Sequence, residues 1–162
     1  MIIDFLLFWN KMNRKIWSIN SCTKNNANHM IRNEKAYIGL GLSGEIPDDE
    51  PNVKRYYKGR TSHNSTPFQF IHFNKNKQKD DIIILYENGK GHTHYGKLTG
   101  KLTGIITTPK FGRDLAPDWE INEIQYHIQV YKWIQIENPH NKHVRRTTLS
   151  ELSETEFISI IG

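Results

Sequence analysis

The residues of this chain that could do chemistry fall into three groups: strand histidines, loop and strand tryptophans, and a run of lysines and arginines broken by tyrosines. His92-Thr93-His94 is a His-x-His pair. On a strand that spacing puts both rings on one face, where they could share a metal ion. Two ligands do not make a metal site, and neither His-Glu-x-x-His nor a Cys-x-x-Cys pair occurs. With His63, the pair could serve acid–base chemistry on a nucleotide or phosphodiester. A polar rim on the sheet is the simpler reading. Gly39-Leu40-Gly41 is too short to cradle a phosphate, and no GxxxxGK[ST] loop is present. The single cysteine, Cys22, excludes an internal disulfide and suits a reducing, intracellular compartment.

Binding chemistry has more support than catalysis. The formal net charge is +5 over 162 residues, and its distribution is uneven. Residues 52–113 carry Lys54, Arg55, Lys58, Arg60, Lys75, Lys77, Lys79, Lys90, Lys97, Lys101, Lys110 and Arg113 against Asp80, Asp81 and Glu87. That segment is strongly basic inside a nearly neutral protein, and such a field attracts phosphate. Lys54, Arg55, Lys58 and Arg60 surround Tyr56 and Tyr57, an interleaving that suits single-stranded or flipped nucleic acid. A solvated lysine-rich surface is the competing reading. Arg145-Arg146 is a second candidate grip on phosphate.

Trp119 follows Pro117-Asp118 on a predicted loop. A loop tryptophan is costly to expose without a use, which makes it a candidate wall for a base. Trp17 stands beside Ser18, Asn20 and Ser21, and Asn20 and Ser21 could bond a base edge or cap the next helix. Tyr37, beside Gly39, suits a cavity wall or the core equally. Trp133 reads as core.

The elements that would position these residues follow from periodicity. Lys15–Ser21 and Ala36–Leu42 read as strands flanking a short helix over Thr23–Asn33. A helix is predicted around Pro67–Asn74. Asp81–Tyr86 is a buried strand, Glu87–Gly91 an Asn-Gly turn and His92–Leu98 the returning strand. Thr99–Thr103 and Ile105–Thr108 continue the meander. Ile124–Ile136 reads as one long strand, and Thr148–Phe157 as a terminal helix capped by Ser150 or Ser153. The apolar run Phe5–Trp9 is too short to cross a bilayer.

In this order the features resemble the PUA-like superfamily, in particular EVE-type and YTH-type modified-base readers and the similar DNA-reading domains of restriction enzymes. Four stretches carry the resemblance: Trp17-Ser18-Ile19-Asn20 through Tyr37-Ile38-Gly39-Leu40-Gly41; Phe70-Ile71 ahead of Asp80-Asp81-Ile82-Ile83-Ile84; Tyr95-Gly96-Lys97-Leu98-Thr99-Gly100; and Tyr126-His127-Ile128-Gln129-Val130-Tyr131-Lys132-Trp133. Two positions depart from the pattern. Asp80 stands where a glycine is usual, and Leu40 where an aromatic is common. A weaker likeness, through His63-x-Ser65 and His92-x-His94, is to 2H phosphoesterases.

The resemblance implies an α+β fold, a curled mixed sheet or small barrel flanked by short helices. It implies one PUA-like domain over residues 15–162, with 1–14 as an N-terminal extension, frayed or docked. The implied function is recognition of a base, methylated bases included, in DNA or RNA, with no cofactor and no membrane. Trp17, Asn20, Ser21, Tyr37 and Trp119 would form the base pocket. Lys54, Arg55, Lys58, Arg60, Lys97, Lys101, Arg113, Arg145 and Arg146 would hold the backbone. A separate effector protein is a further expected partner. A small enzyme using His63, His92 or His94 and a protein–protein module are the alternatives.

Overall fold

The computed structural model describes residues 14–21, 24–39, 66–106, 125–137, 139 and 149–161. They form seven strands and three helices: β1 (Ile16–Asn20), α1 (Lys24–Arg32), β2 (Lys35–Gly39), α2 (Thr66–Asn76), β3 (Ile82–Glu87), β4 (Gly91–Ile106), β5 (Gln125–Val130), β6 (Ile134–Gln135), β7 (Leu149–Leu152) and α3 (Glu154–Ile161). The sheet order is β2-β5-β4-β3-β1-β7, with β6 also paired to β4. β1 lies parallel to β3, and the other pairings are antiparallel. This is the expected α+β class with a curled mixed sheet.

β1 and β3 are interior strands, and every residue of both is buried. The unbroken run Ile82-Ile83-Ile84-Leu85-Tyr86 suits that place, because an interior strand needs apolar side chains on both faces. On the first face, Trp17, Ile19, Ile83, Leu85 and Leu149 pack with Ala27 and Met30 of α1 and with Phe70 and Phe73 of α2. On the second face, Ile16, Ile82, Ile84 and Leu152 pack with Phe157 and Ile160 of α3. Phe157 and Ile160 are three apart, so one stripe of α3 meets the sheet.

A carboxylate ties the entry of both central strands. Asp81 accepts from the Lys15 amide (3.0 Å), the Trp17 indole N–H (3.0 Å) and the Gln78 amide (2.8 Å). Asp80, just before it, has a φ of 70°. The left-handed region favours glycine and, among other residues, Asp and Asn. The departure seen at this position therefore keeps the conformation and changes only the side chain.

Three expectations are corrected. The pieces predicted over 92–108 are one strand, β4, bent where Gly100 takes a φ of 81° and the register to β5 shifts. The long strand predicted over 124–136 is broken at Tyr131–Trp133 into β5 and β6, which pair with different halves of β4. The break sits over Gly96, where an added Cβ would lie 2.5 Å from the Lys132 carbonyl oxygen and 2.5 Å from Val130 Cγ1. The terminal helix begins later than predicted. Residues 149–152 form strand β7 on the open edge of β1, and Ser153 caps α3 by accepting from the Glu156 amide at 3.1 Å. The segments around 40–65, 107–124 and 140–148 lie outside the described residues.

Candidate nucleic-acid interface

The two parallel strands end together, with Asn20 opposite Tyr86. Carboxyl ends of parallel strands are common ligand sites, because the chain turns away there and leaves room above the sheet. Ser21 continues the ladder, its amide donating to the Tyr86 carbonyl at 3.0 Å and its hydroxyl to the same oxygen at 3.3 Å. Asn26, in the first turn of α1, is fully buried and donates from Nδ2 to the Ser21 carbonyl at 3.2 Å. An amide side chain thus fastens the helix start to the strand end.

The second face carries its own polar group at this end. Asn20 Nδ2 donates to Asn88 Oδ1 at 3.4 Å. Ser18 Oγ and His92 Nε2 are 3.2 Å apart, and the His92 ring meets Tyr86 edge-on with centroids 5.1 Å apart. Ser150 stands opposite Ser18 on β7, its hydroxyl oxygen buried with no hydrogen-bond partner among the described residues. These amides, hydroxyls and an imidazole supply both donors and acceptors, the chemistry that a base edge requires.

Strand periodicity separates residues that sequence neighbourhood had grouped. Trp17 and Ser21 fall on the face of α1, while Asn20 falls on the other. Trp17 is 1% exposed, its indole N–H is bonded to Asp81, and its ring stands edge-on to Phe73 at 4.9 Å and to His72 at 5.7 Å. Its place is in the core. Tyr37 is also fully buried there. Burial pushes its phenol up to about 12, against the smaller opposing effects of a hydrogen bond with Asn33 and the charge of Arg32. It stays protonated at any physiological pH. Trp133 is core as read, its indole N–H donating to the Met30 carbonyl at 3.0 Å.

The histidine pair does not act as one unit. A register shift in the β3–β4 hairpin sets His92 opposite Tyr86 and His94 opposite Leu85. Tyr86 and Leu85 are consecutive, so they leave β3 on opposite faces. The ring of His92 is 2% exposed, whereas His94 is half-buried, with burial holding its imidazole below the usual value and Glu87 pulling the other way. The expectation of one shared face is corrected by this bulge. Among the described residues no three His, Cys, Asp or Glu side chains gather as a metal site. Nor is any described helix long and apolar enough to cross a membrane.

Of the cations proposed for the backbone, Lys97 is described and exposed, on β4. Lys101 lies on β4 too, its side chain outside the description. Lys54, Arg55, Lys58, Arg60, Arg113, Arg145 and Arg146, together with Trp119 and His63, lie outside the described residues. The strand ends that bound two of these segments are neighbours: Gln125 pairs with Gly39 on one side and with Ile106 on the other. The chain therefore leaves the sheet at 39 and 106, and re-enters at 125, at a single corner. Asn26, Asn88 and the Ser18–His92 contact are site features that sequence reading missed. Asn26 falls within the helix predicted over 23–33 and Asn88 within the predicted turn, and only the hairpin bulge brings His92 to Ser18.

No family model matches the chain, and no curated protein does. Among solved structures, the chain is similar to the Pho92 YTH domain, determined in complex with m6A, at a TM-score of 0.45 and 14% identity over 91% of this chain and 80% of that one.

Proposed function

We propose that this chain is a nucleic-acid-binding module that reads a base, modified bases included, rather than an enzyme. The observation that carries it is the corner shared by Gly39, Ile106 and Gln125. That corner anchors both the segment holding Lys54, Arg55, Lys58 and Arg60 and the segment holding Trp119. Cations for phosphate and an aromatic for stacking are thus tethered to one part of the sheet, the combination single-stranded or flipped nucleic acid needs. Asn20 and Ser21 leave the carboxyl end of β1 on opposite faces, so a base edge there meets Asn20, beside Asn88, or Ser21, beside the Tyr86 carbonyl, and not both. Trp119 is the stacking wall in this reading, while Trp17 and Tyr37 serve as core of the sheet. The split of His92 from His94 favours binding over histidine catalysis.

The test is a fluorescence titration with short single- and double-stranded DNA and RNA, unmodified and methylated, at two salt concentrations. With four cations on single-stranded phosphates, affinity is expected to fall about 50-fold between 50 and 200 mM salt. Trp119→Ala is expected to weaken binding by about 1–3 kcal/mol, the worth of one stacked base. Absence of binding to every probe at the lower salt would refute the reading.

A further inference from the structure

The described surface holds an aromatic residue that neither the core nor the pocket uses. Tyr131 is 73% exposed, in the break between β5 and β6. Its backbone is fixed, because its amide donates to the Lys97 carbonyl at 2.7 Å. Lys97 and Lys132, its neighbours across the ladder and along the chain, are both exposed. Lys79, also exposed, packs along the same strand: a Cβ added at Gly100 would lie 3.2 Å from Lys79 Cβ. Two exposed acidic residues lie beside them among the described residues: Asp80, whose amide donates to the Leu98 carbonyl at 2.9 Å, and Glu34, whose carbonyl accepts from the Val130 amide at 2.9 Å. Lys77 is not part of the group. Its ammonium is held by Asn74 and lies over the Phe73 ring.

This end of the sheet lies away from Asn20 and Ser21. Lys97 is opposite Ile82, at the start of β3, whereas Asn20 and Tyr86 mark the other ends of β1 and β3. Three lysines against two carboxylates leave a local positive field, which on its own would suit any polyanion. The exposed, backbone-fixed ring narrows the choice, since an aromatic among cations is how proteins hold unpaired nucleotides without regard to sequence.

We propose that Tyr131, Lys79, Lys97 and Lys132 form a second contact strip for single-stranded nucleic acid, Tyr131 stacking on one base while the lysines neutralise neighbouring phosphates. The strip rests on the proposed function and extends it, since a strand held in the pocket would continue onto a separate surface. A 15-nucleotide fluorescein-labelled single strand, DNA or RNA, is the probe, and anisotropy with the full chain is the measurement. Tyr131→Ala is expected to weaken binding roughly 5- to 150-fold, with Tyr131→Phe near wild type because the ring remains. Replacing Lys79, Lys97 and Lys132 by Gln is expected to make the slope of log K against log salt shallower by about 2. All four positions are exposed, and an unchanged circular dichroism spectrum and melting temperature will confirm that each variant folds. If the wild type binds while both Tyr131→Ala and the triple variant match it, the strip is refuted and the pocket reading survives. If polyglutamate competes as well as the oligonucleotide and Tyr131→Ala changes nothing, the strip is a general anion surface and the proposal fails. If the wild type binds no strand at all, both readings fail together.

Discussion

Single residues decide whether this chain can close its sheet. Asp81 accepts three hydrogen bonds, two from backbone amides and one from the buried indole of Trp17. Asp81→Ala leaves those donors without an acceptor, and a loss of about 3–5 kcal/mol is expected in chemical denaturation. Asp80 holds a left-handed backbone. Asp80→Ala is expected to cost about 1 kcal/mol, since Ala has no local hydrogen bond to offset the strain, while Asp80→Gly is expected to cost nothing. Equal stability of the two variants would refute that account. His94 sets a pH dependence. Its folded-state value is held below 6.5 by burial. As pH falls, the unfolded chain protonates this ring first, so unfolding takes up a proton and stability declines from about pH 6.5 downward. Melting temperatures of His94→Gln and wild type across pH 5–8 check this, the variant being expected to show the flatter profile.

At the scale of elements, legibility in the sequence followed how far the deciding interaction lay along the chain. β3 and its turn were readable because five consecutive apolar or aromatic positions and Asn88-Gly89 are local signals. β7 was not. Leu149 and Leu152 are three apart, a spacing that suits one face of a helix and also suits the two faces of a strand. The open edge of β1, far back in sequence, makes the choice, and the two leucines enter different cores. The division of β5 from β6 was hidden in the same way, because it depends on Gly96 of another strand. Gly96→Ala forces a methyl against the Lys132 carbonyl and Val130, and a loss of about 1–3 kcal/mol is expected in thermal or denaturant unfolding. The site was half legible. Asn20 and Ser21 stand at the end of β1, as the strand read over Lys15–Ser21 implies, but grouping them with Trp17 in one base pocket ignores the alternation that sends Asn20 to the opposite face.

For the whole molecule, the central position of β1 has a kinetic consequence. β1 pairs with β7, and just ahead of β1 Lys15 bonds Glu151 of β7 across 136 positions of the chain. A loop of that length closes only after most of the chain has been made, and ordering it carries a substantial entropy cost. Folding dominated by such distant pairings is slow. Until residues 149–152 arrive, the edge of an apolar strand stands open to pair with any other nascent copy. Refolding is expected to be faster in a circular permutant that joins the segment carrying β7 directly ahead of Ile16, and light scattering during refolding should fall with it. The C-terminal strand therefore acts as the cover over the most aggregation-prone seam of the molecule.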